Sequence, residues 1–216
     1  VIGVGHGGTL SAVVDRLPAV DAQNWRFVSL LGGLTRSFAA NPYDVIHRLT
    51  ARTGAEGFLV PAPLFANTEE DRRILLSQTG LSDISRLWRE AELCLLGIGA
   101  VDPEGSIARA NVFDPEASLG EIRASGGRAE VLGQFLDGEG RRIETRYDGR
   151  LIAADLFALK GREVHAVAGG PDKTAAIDAA MRSGVFTGLI TDEATARSLV
   201  GDTEAATAPA PSLMAG

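Results

Sequence analysis

Cysteine is nearly missing from this 216-residue chain: Cys94 stands alone. A lone thiol excludes an intramolecular disulfide and fits a reducing, cytoplasmic compartment. Set in the apolar run Leu93-Cys94-Leu95-Leu96, it reads as a small core residue. No apolar run is long enough to cross a bilayer and no leader pattern opens the chain, so no membrane partner is expected. Basic residues are in deficit, 21 Lys and Arg against 28 Asp and Glu, for a net charge of −7. Phosphate neutralisation needs a basic face, so this segment is not expected to hold nucleic acid by itself. His6, His47 and His165 are the only histidines, and no pair has metal-ligand spacing. Neither a metal nor a cofactor is expected.

Nucleotide signatures are absent as well. Gly5-His6-Gly7-Gly8-Thr9 is not followed by the Gly-Lys-Ser/Thr of a phosphate loop. The Gly-x-Gly-x-x-Gly spacing of a dinucleotide fingerprint fails, and no acidic residue ends a second strand about twenty residues on.

What the chain does have is apolar content of 45% with a mean hydropathy of +0.08. At this length that is enough for one core and one α/β domain. Two glycine turns each follow a short apolar strand and run into a helical stretch. The first is Gly5-His6-Gly7-Gly8-Thr9, and the second is Ala168-Gly169-Gly170-Pro171-Asp172-Lys173. Strand, glycine turn, helix is how an α/β sheet builds a ligand site. Glycine lets backbone approach the ligand, and free N–H groups at a helix start attract oxygens. Such turns lie outside the carboxyl ends of the strands, where ligands sit.

We read strands at 1–4, 26–30, 57–60, 93–98, 164–168 and 188–190, with helices at 10–16, 42–53, 69–78, 82–91, 172–183 and 193–199. Asn41-Pro42, Ser82 and Asp172 are helix-start signals, and Gly54 is a stop. The alternation predicts a mostly parallel, doubly wound sheet covered on both faces. Residues 126–160 break the rhythm. Residues 130–136 read as one strand, Asp137-Gly138-Glu139-Gly140 as a turn, and 143–147 as its return, a small antiparallel lobe. The Ala-Pro-Ala-Pro stretch near the C-terminus has the composition of a flexible tail. The chain opens without Met inside a strand, and a preceding segment is expected.

Candidate ligand contacts follow. Gly5, Gly7, Gly8 and Leu10 offer backbone N–H groups, Thr9 a hydroxyl and His6 a ring nitrogen. Lys173 sits at a helix start, where the helix dipole disfavours a cation unless it faces an anion or a sugar oxygen. Asp102, Arg109 and Glu130 are charges able to bond sugar hydroxyls, although each also fits a solvated surface. Thr191-Asp192-Glu193 reads first as a cap for the last helix. No nucleophile–base relay is assembled by any motif, so no catalytic residue is assigned.

The order of these motifs carries a resemblance. Gly-His-Gly-Gly-Thr is followed by Leu31-Gly32-Gly33-Leu34, Asn41-Pro42, Val60-Pro61-Ala62-Pro63-Leu64 and Leu96-Gly97-Ile98-Gly99. Then come Gly133-Gln134-Phe135-Leu136-Asp137-Gly138-Glu139-Gly140, Val167-Ala168-Gly169-Gly170-Pro171-Asp172-Lys173 and Leu189-Ile190-Thr191-Asp192-Glu193. Over roughly residues 1–200 this series resembles the effector-binding domain of the SorC family of bacterial sugar-responsive transcriptional regulators. The resemblance implies a fold like that of ribose-phosphate isomerases, glucosamine-phosphate deaminases and CoA transferases, with an insertion or small lobe at about 103–160. It implies a sugar, sugar phosphate or polyol effector, and a homodimer or homotetramer. Operator DNA would be read only by an N-terminal helix-turn-helix domain that this chain does not include. Family contacts would fall on the Gly5–Leu10 turn and on the segment after Gly32-Gly33, where Arg36 and Asn41 lie. They would also fall on Arg109, Glu130 and Lys173. Two departures, Leu31 in place of a basic residue and Gly127-Arg128-Ala129-Glu130 at the lobe opening, weigh against a doubly phosphorylated effector. An isomerase- or deaminase-like enzyme is the alternative. However, the Asp-Gly-Ala-Asp-Glu run of the isomerases is absent, and no histidine follows Gly97-Ile98-Gly99. A bare oligomerisation module is the third reading.

Overall fold

The computed structural model describes residues 1–34, 45–102 and 115–201. Six strands form one parallel sheet: β1 (Ile2–Val4), β2 (Arg26–Ser29), β3 (Glu56–Phe58), β4 (Leu93–Leu96), β9 (Glu163–Val167) and β10 (Gly188–Ile190), in the order β10-β9-β4-β1-β2-β3. Alternate residues of these strands belong to different core clusters. Val4 and Phe27 pack with Leu10 and Val14 of α1 (Gly8–Arg16) and with Val45, Ile46 and Leu49 of α2 (Val45–Thr53). Val28, Cys94 and Leu96 pack with Leu81, Ile84, Leu87 and Trp88 of α4 (Thr79–Glu90). Side chains alternate across a strand, so helices cover both faces. The doubly wound parallel sheet expected from the alternation is the sheet observed.

The remaining strands make a second, antiparallel sheet in the order β5 (Gly99–Ala100), β6 (Gly127–Val131), β7 (Gln134–Asp137) and β8 (Arg142–Ile143). Helix α5 (Pro115–Ala124), not foreseen in the sequence, buries Leu119 and Ile122 beside β6. The turn at Asp137–Gly140 is as expected, with Gly140 N–H donating to the Asp137 carbonyl at 3.0 Å. A second turn at Leu132-Gly133 splits what the sequence suggests is one strand over 130–136. Leu132 (φ 55°) and Gly133 (φ 77°) both take left-handed backbone. Leucine rarely adopts it, and here it is fully buried, so packing imposes the conformation. Buried Gln134 ties this hairpin to the following segment through the Ala154 carbonyl (2.9 Å), the Leu156 N–H (3.0 Å) and Arg142.

Three further expectations are corrected. Residues 93–98 are not one strand, because β4 ends at Leu96: a Cβ at Gly97 would stand 2.2 Å from the His6 carbonyl oxygen, so the chain turns there beneath the first corner. Ser82 does not start α4; the helix begins at Thr79, and the Ser82 hydroxyl donates back to the Thr79 carbonyl at 2.9 Å. Asp172 does not cap α6 (Thr174–Arg182), since a 3-10 turn at Pro171–Lys173 precedes that helix and no side chain caps either one. Asp192 caps α7 (Glu193–Val200) as expected, accepting from the Thr195 N–H at 2.8 Å. In α3 (Glu69–Ser77) the Thr68 hydroxyl plays that part, at 3.0 Å from the Asp71 N–H. Gly54 ends α2 at φ 67°. The Asn41-Pro42 helix start and the tail beyond residue 201 lie outside the described residues. Among the described residues no helix is long and apolar enough to cross a membrane.

Candidate functional site

Strands β9, β4 and β1 are neighbours, so their carboxyl ends bring three glycine corners together. Gly5-His6-Gly7-Gly8-Thr9 leaves β1 and enters α1, whose first turn has neither a side-chain cap nor an acidic residue. The amides of a helix start with no side-chain partner remain available to a ligand's oxygens. Gly97-Ile98-Gly99 leaves β4 and crosses to the second sheet. Gly169-Gly170-Pro171-Asp172-Lys173 leaves β9. A small hollow of about 20 Å³ lies among them, lined by His6, Gly7, Gly8, Thr9, Gly97, Ile98, Gly99, Glu130, Val167 and Lys173. Glu130 enters it from β6, opposite Gly99 in the antiparallel register.

Glu130 is 4% exposed, and its Oε1 accepts from the Gly133 N–H at 2.6 Å. The left-handed Leu132-Gly133 turn therefore positions the carboxyl group. Burial raises the Glu130 pKa to about 7, against the opposing pull of the Gly133 N–H and the Lys173 charge. Burial also pushes His6 down to about 4, so its ring is neutral near pH 7. His6 is 8% exposed, and its Nδ1 is buried without a hydrogen-bond partner. Buried polar atoms are rarely left so, and Nδ1 is therefore available to a further partner.

His6 also lines a second hollow of about 180 Å³, under the carboxyl ends of β1, β2 and β3, with Gly5, Ser29, Leu31, Gly32, Gly33, Leu34, Val45, Ile46, Leu59 and Val60. The imidazole thus stands between the two spaces. The first hollow has room for about one water, so a larger ligand would lie over its mouth, whereas the second is below the roughly 300 Å³ where drug-sized pockets begin.

The sequence-derived candidates sort accordingly. His6, Gly7, Gly8, Thr9, Glu130 and Lys173 share the first hollow, and Gly5 faces the second. The Leu10 side chain is buried in the core with Val14 and Val45, so only its backbone can serve a ligand. Asp102, half-buried just past β5, lines neither hollow. Arg36, Asn41 and Arg109 lie outside the described residues. Quoted as motifs in the sequence but not assigned as ligand contacts were Gly97, Ile98, Gly99 and Val167, and Gly32 and Gly33 in the second hollow, where Ser29 was not singled out at all. Their signal was positional: each follows or ends a parallel strand at its carboxyl end. Among the described residues no cluster of three His, Cys, Asp or Glu side chains could hold a metal.

The family profile described as "Putative sugar-binding domain" matches residues 1–201. The chain is 46% identical over 201 residues to the erythritol catabolism regulatory protein EryD of Brucella abortus, covering 93% of this chain and 63% of that protein. It is 30% identical over 210 residues to the transcriptional regulator LsrR of Klebsiella pneumoniae, covering 93% and 61%. It therefore spans less than two thirds of the length of these relatives. The full-length sorbitol operon regulator SorC of Klebsiella pneumoniae shares the fold, with a TM-score of 0.83 at 22% identity, covering 92% of this chain and 66% of that one. The resemblance carried by the ordered glycine motifs is borne out: this chain belongs to the family of sugar-binding domains found in such regulators.

Proposed function

We propose that residues 1–200 are the effector-binding domain of a bacterial transcriptional regulator, and that the effector sits over the hollow between the first and third glycine corners. The observation that carries this reading is the convergence of Glu130, from the antiparallel sheet, with Lys173 and Thr9, from two corners of the parallel sheet. A carboxyl group, an ammonium and helix-start amides together match the hydroxyls of a sugar or polyol. The name of the Brucella relative favours erythritol or another small polyol over a sugar phosphate. DNA contact is assigned to a helix-turn-helix segment outside this chain, in keeping with its net charge of −7. Effector binding would shift an equilibrium between DNA-bound and released dimers or tetramers in the cytoplasm, by its differential affinity for the two states. No covalent chemistry is assigned to the site.

Calorimetric titration with erythritol, other alditols and sugar phosphates tests the reading. Glu130→Ala and Lys173→Ala are each expected to weaken binding about tenfold or more, the loss of roughly one charge-assisted hydrogen bond, and Thr9→Ala several-fold, the loss of a neutral one, with circular dichroism unchanged. Unaltered affinity in all three variants would remove the hollow as the effector site.

A further inference from the structure

We propose that Glu130 makes effector binding proton-linked: it holds a proton in the ligand-free hollow and gives it to solvent when the hydroxyls of an uncharged polyol bind. This rests on the effector site proposed above and specifies its ligand chemistry.

The geometry is that of a half-satisfied buried acid. Oε1 accepts one backbone N–H, and among the described residues no hydrogen bond reaches Oε2. An ionised carboxylate with one donor in a buried site is costly, and a proton relieves that cost. The pKa of about 7 follows from the same burial. Vicinal hydroxyls of a polyol supply the missing donors, and donors to the charged form favour it. The exchange balances: the neutral acid and neutral ligand become a carboxylate–ligand complex and one proton in bulk water. A phosphate ester would do the reverse, since its charge beside Glu130 favours the acid.

The surrounding charges leave Glu130 as the titrating group. Asp137 on β7 pairs with Arg141, Glu121 on α5 with Arg146, and Asp178 on α6 with Arg182, all toward the surface. Arg123 on α5 and Arg128 on β6 itself are exposed, and β5 carries no charge. Lys173 is the charge that acts on Glu130. His6 shares the hollow and stays neutral above its own pKa of about 4.

The test is calorimetric titration of the 216-residue chain with a panel of four- to six-carbon alditols at pH 6, 7 and 8, in buffers of differing ionisation heat. A group with pKa near 7 that must ionise gives affinity about tenfold higher at pH 8 than at pH 6, with close to one proton released at pH 6. Glu130→Gln should flatten this dependence, while Thr9→Ala weakens binding and keeps it. Binding without pH dependence, a slope surviving in Glu130→Gln, or tighter binding toward acid overturns the proposal and leaves the site standing. Failure of every alditol to bind at any pH overturns the site reading and this inference with it. Carboxyl-carbon NMR of the ligand-free wild-type chain guards against a misfolded variant. One glutamate should titrate near neutrality, and none above the ordinary carboxylate range would overturn the proposal.

Discussion

At the scale of single residues, two buried ionisable groups meet in one hollow and are moved in opposite directions by the same desolvation. His6 falls from 6.5 to about 4, and Glu130 rises from 4.5 to about 7. Between roughly pH 4.5 and 6.5 the unfolded chain carries a proton on His6 that the folded chain refuses. His6 thus makes stability rise with pH and be lost as pH falls toward 4. Over the same window the folded chain keeps a proton on Glu130 that the unfolded chain has released. Glu130 thus makes stability fall as pH climbs toward 7. Each effect is on the order of a few kcal/mol, and they cancel in the wild type. Urea denaturation of His6→Gln should therefore reveal a decline in stability between pH 4.5 and 6.5, relative to wild type. Glu130→Gln should reveal a rise over the same interval. Two variants that both track the wild-type profile would mean that neither side chain is buried in its folded form.

At the scale of elements, the cap of α7 does more than start a helix. Asp192 Oδ2 accepts from the Gly170 N–H at 3.0 Å and from the Thr195 hydroxyl at 2.7 Å, while Thr195 Oγ1 accepts from the same Gly170 N–H at 2.9 Å. These donors hold the Asp192 carboxyl below the ordinary range, the Thr195 backbone bond foremost. The helix cap and the corner that carries Lys173 are thus one hydrogen-bonded unit. Asp192→Ala should lower the melting temperature by a few degrees and also weaken alditol binding several-fold, although Asp192 does not line the Glu130 hollow. Asp192→Asn should restore part of both. A lower melting temperature with unchanged affinity would show that the corner keeps its shape without the tether. The sequence revealed this cap, because acceptor side chains before an apolar run declare themselves. It revealed the parallel strands to within a residue or two, because most are short apolar runs and those of β1, β4 and β9 soon meet glycine. It hid the start of α4, where Gln78 supplies an extended backbone and no side-chain bond. It hid the Leu132-Gly133 turn, because leucine does not announce a left-handed conformation and is held in it by burial beside the first corner: Leu132 reaches to 3.5 Å of where a Gly5 Cβ would stand. Glu130 was legible as a site residue weakly from its charge and chiefly through the family resemblance. Alone it is one charge in an apolar strand, and its burial arises where two sheets meet.

At the scale of the whole molecule, the candidate site is where the sheets join. The chain leaves β4, passes Gly97-Ile98-Gly99 and becomes β5 of the second sheet, which holds Glu130 against the corners of the first. The contacts that would grip a polyol therefore belong to elements distant in sequence and different in architecture. Binding only to the folded state stabilises it by about 2.7 kcal/mol at a hundredfold excess over Kd. For a chain of this size that corresponds to a rise in melting temperature of roughly 5–10 °C. Hydrogen exchange should slow in both sheets together, at β1 and β4 on one side and at β6 and β7 on the other, since the ligand bridges them. A ligand confined to the larger hollow under β1, β2 and β3 would protect the parallel sheet alone. Lys173→Ala should shrink the thermal shift at fixed ligand concentration while leaving the ligand-free melting temperature near wild type, because Lys173 is a partly exposed side chain at a helix start, where the dipole does not favour it. Equal protection of β6–β7 with and without alditol, alongside a full thermal shift, would place the ligand away from Glu130 and separate effector binding from the junction of the two sheets.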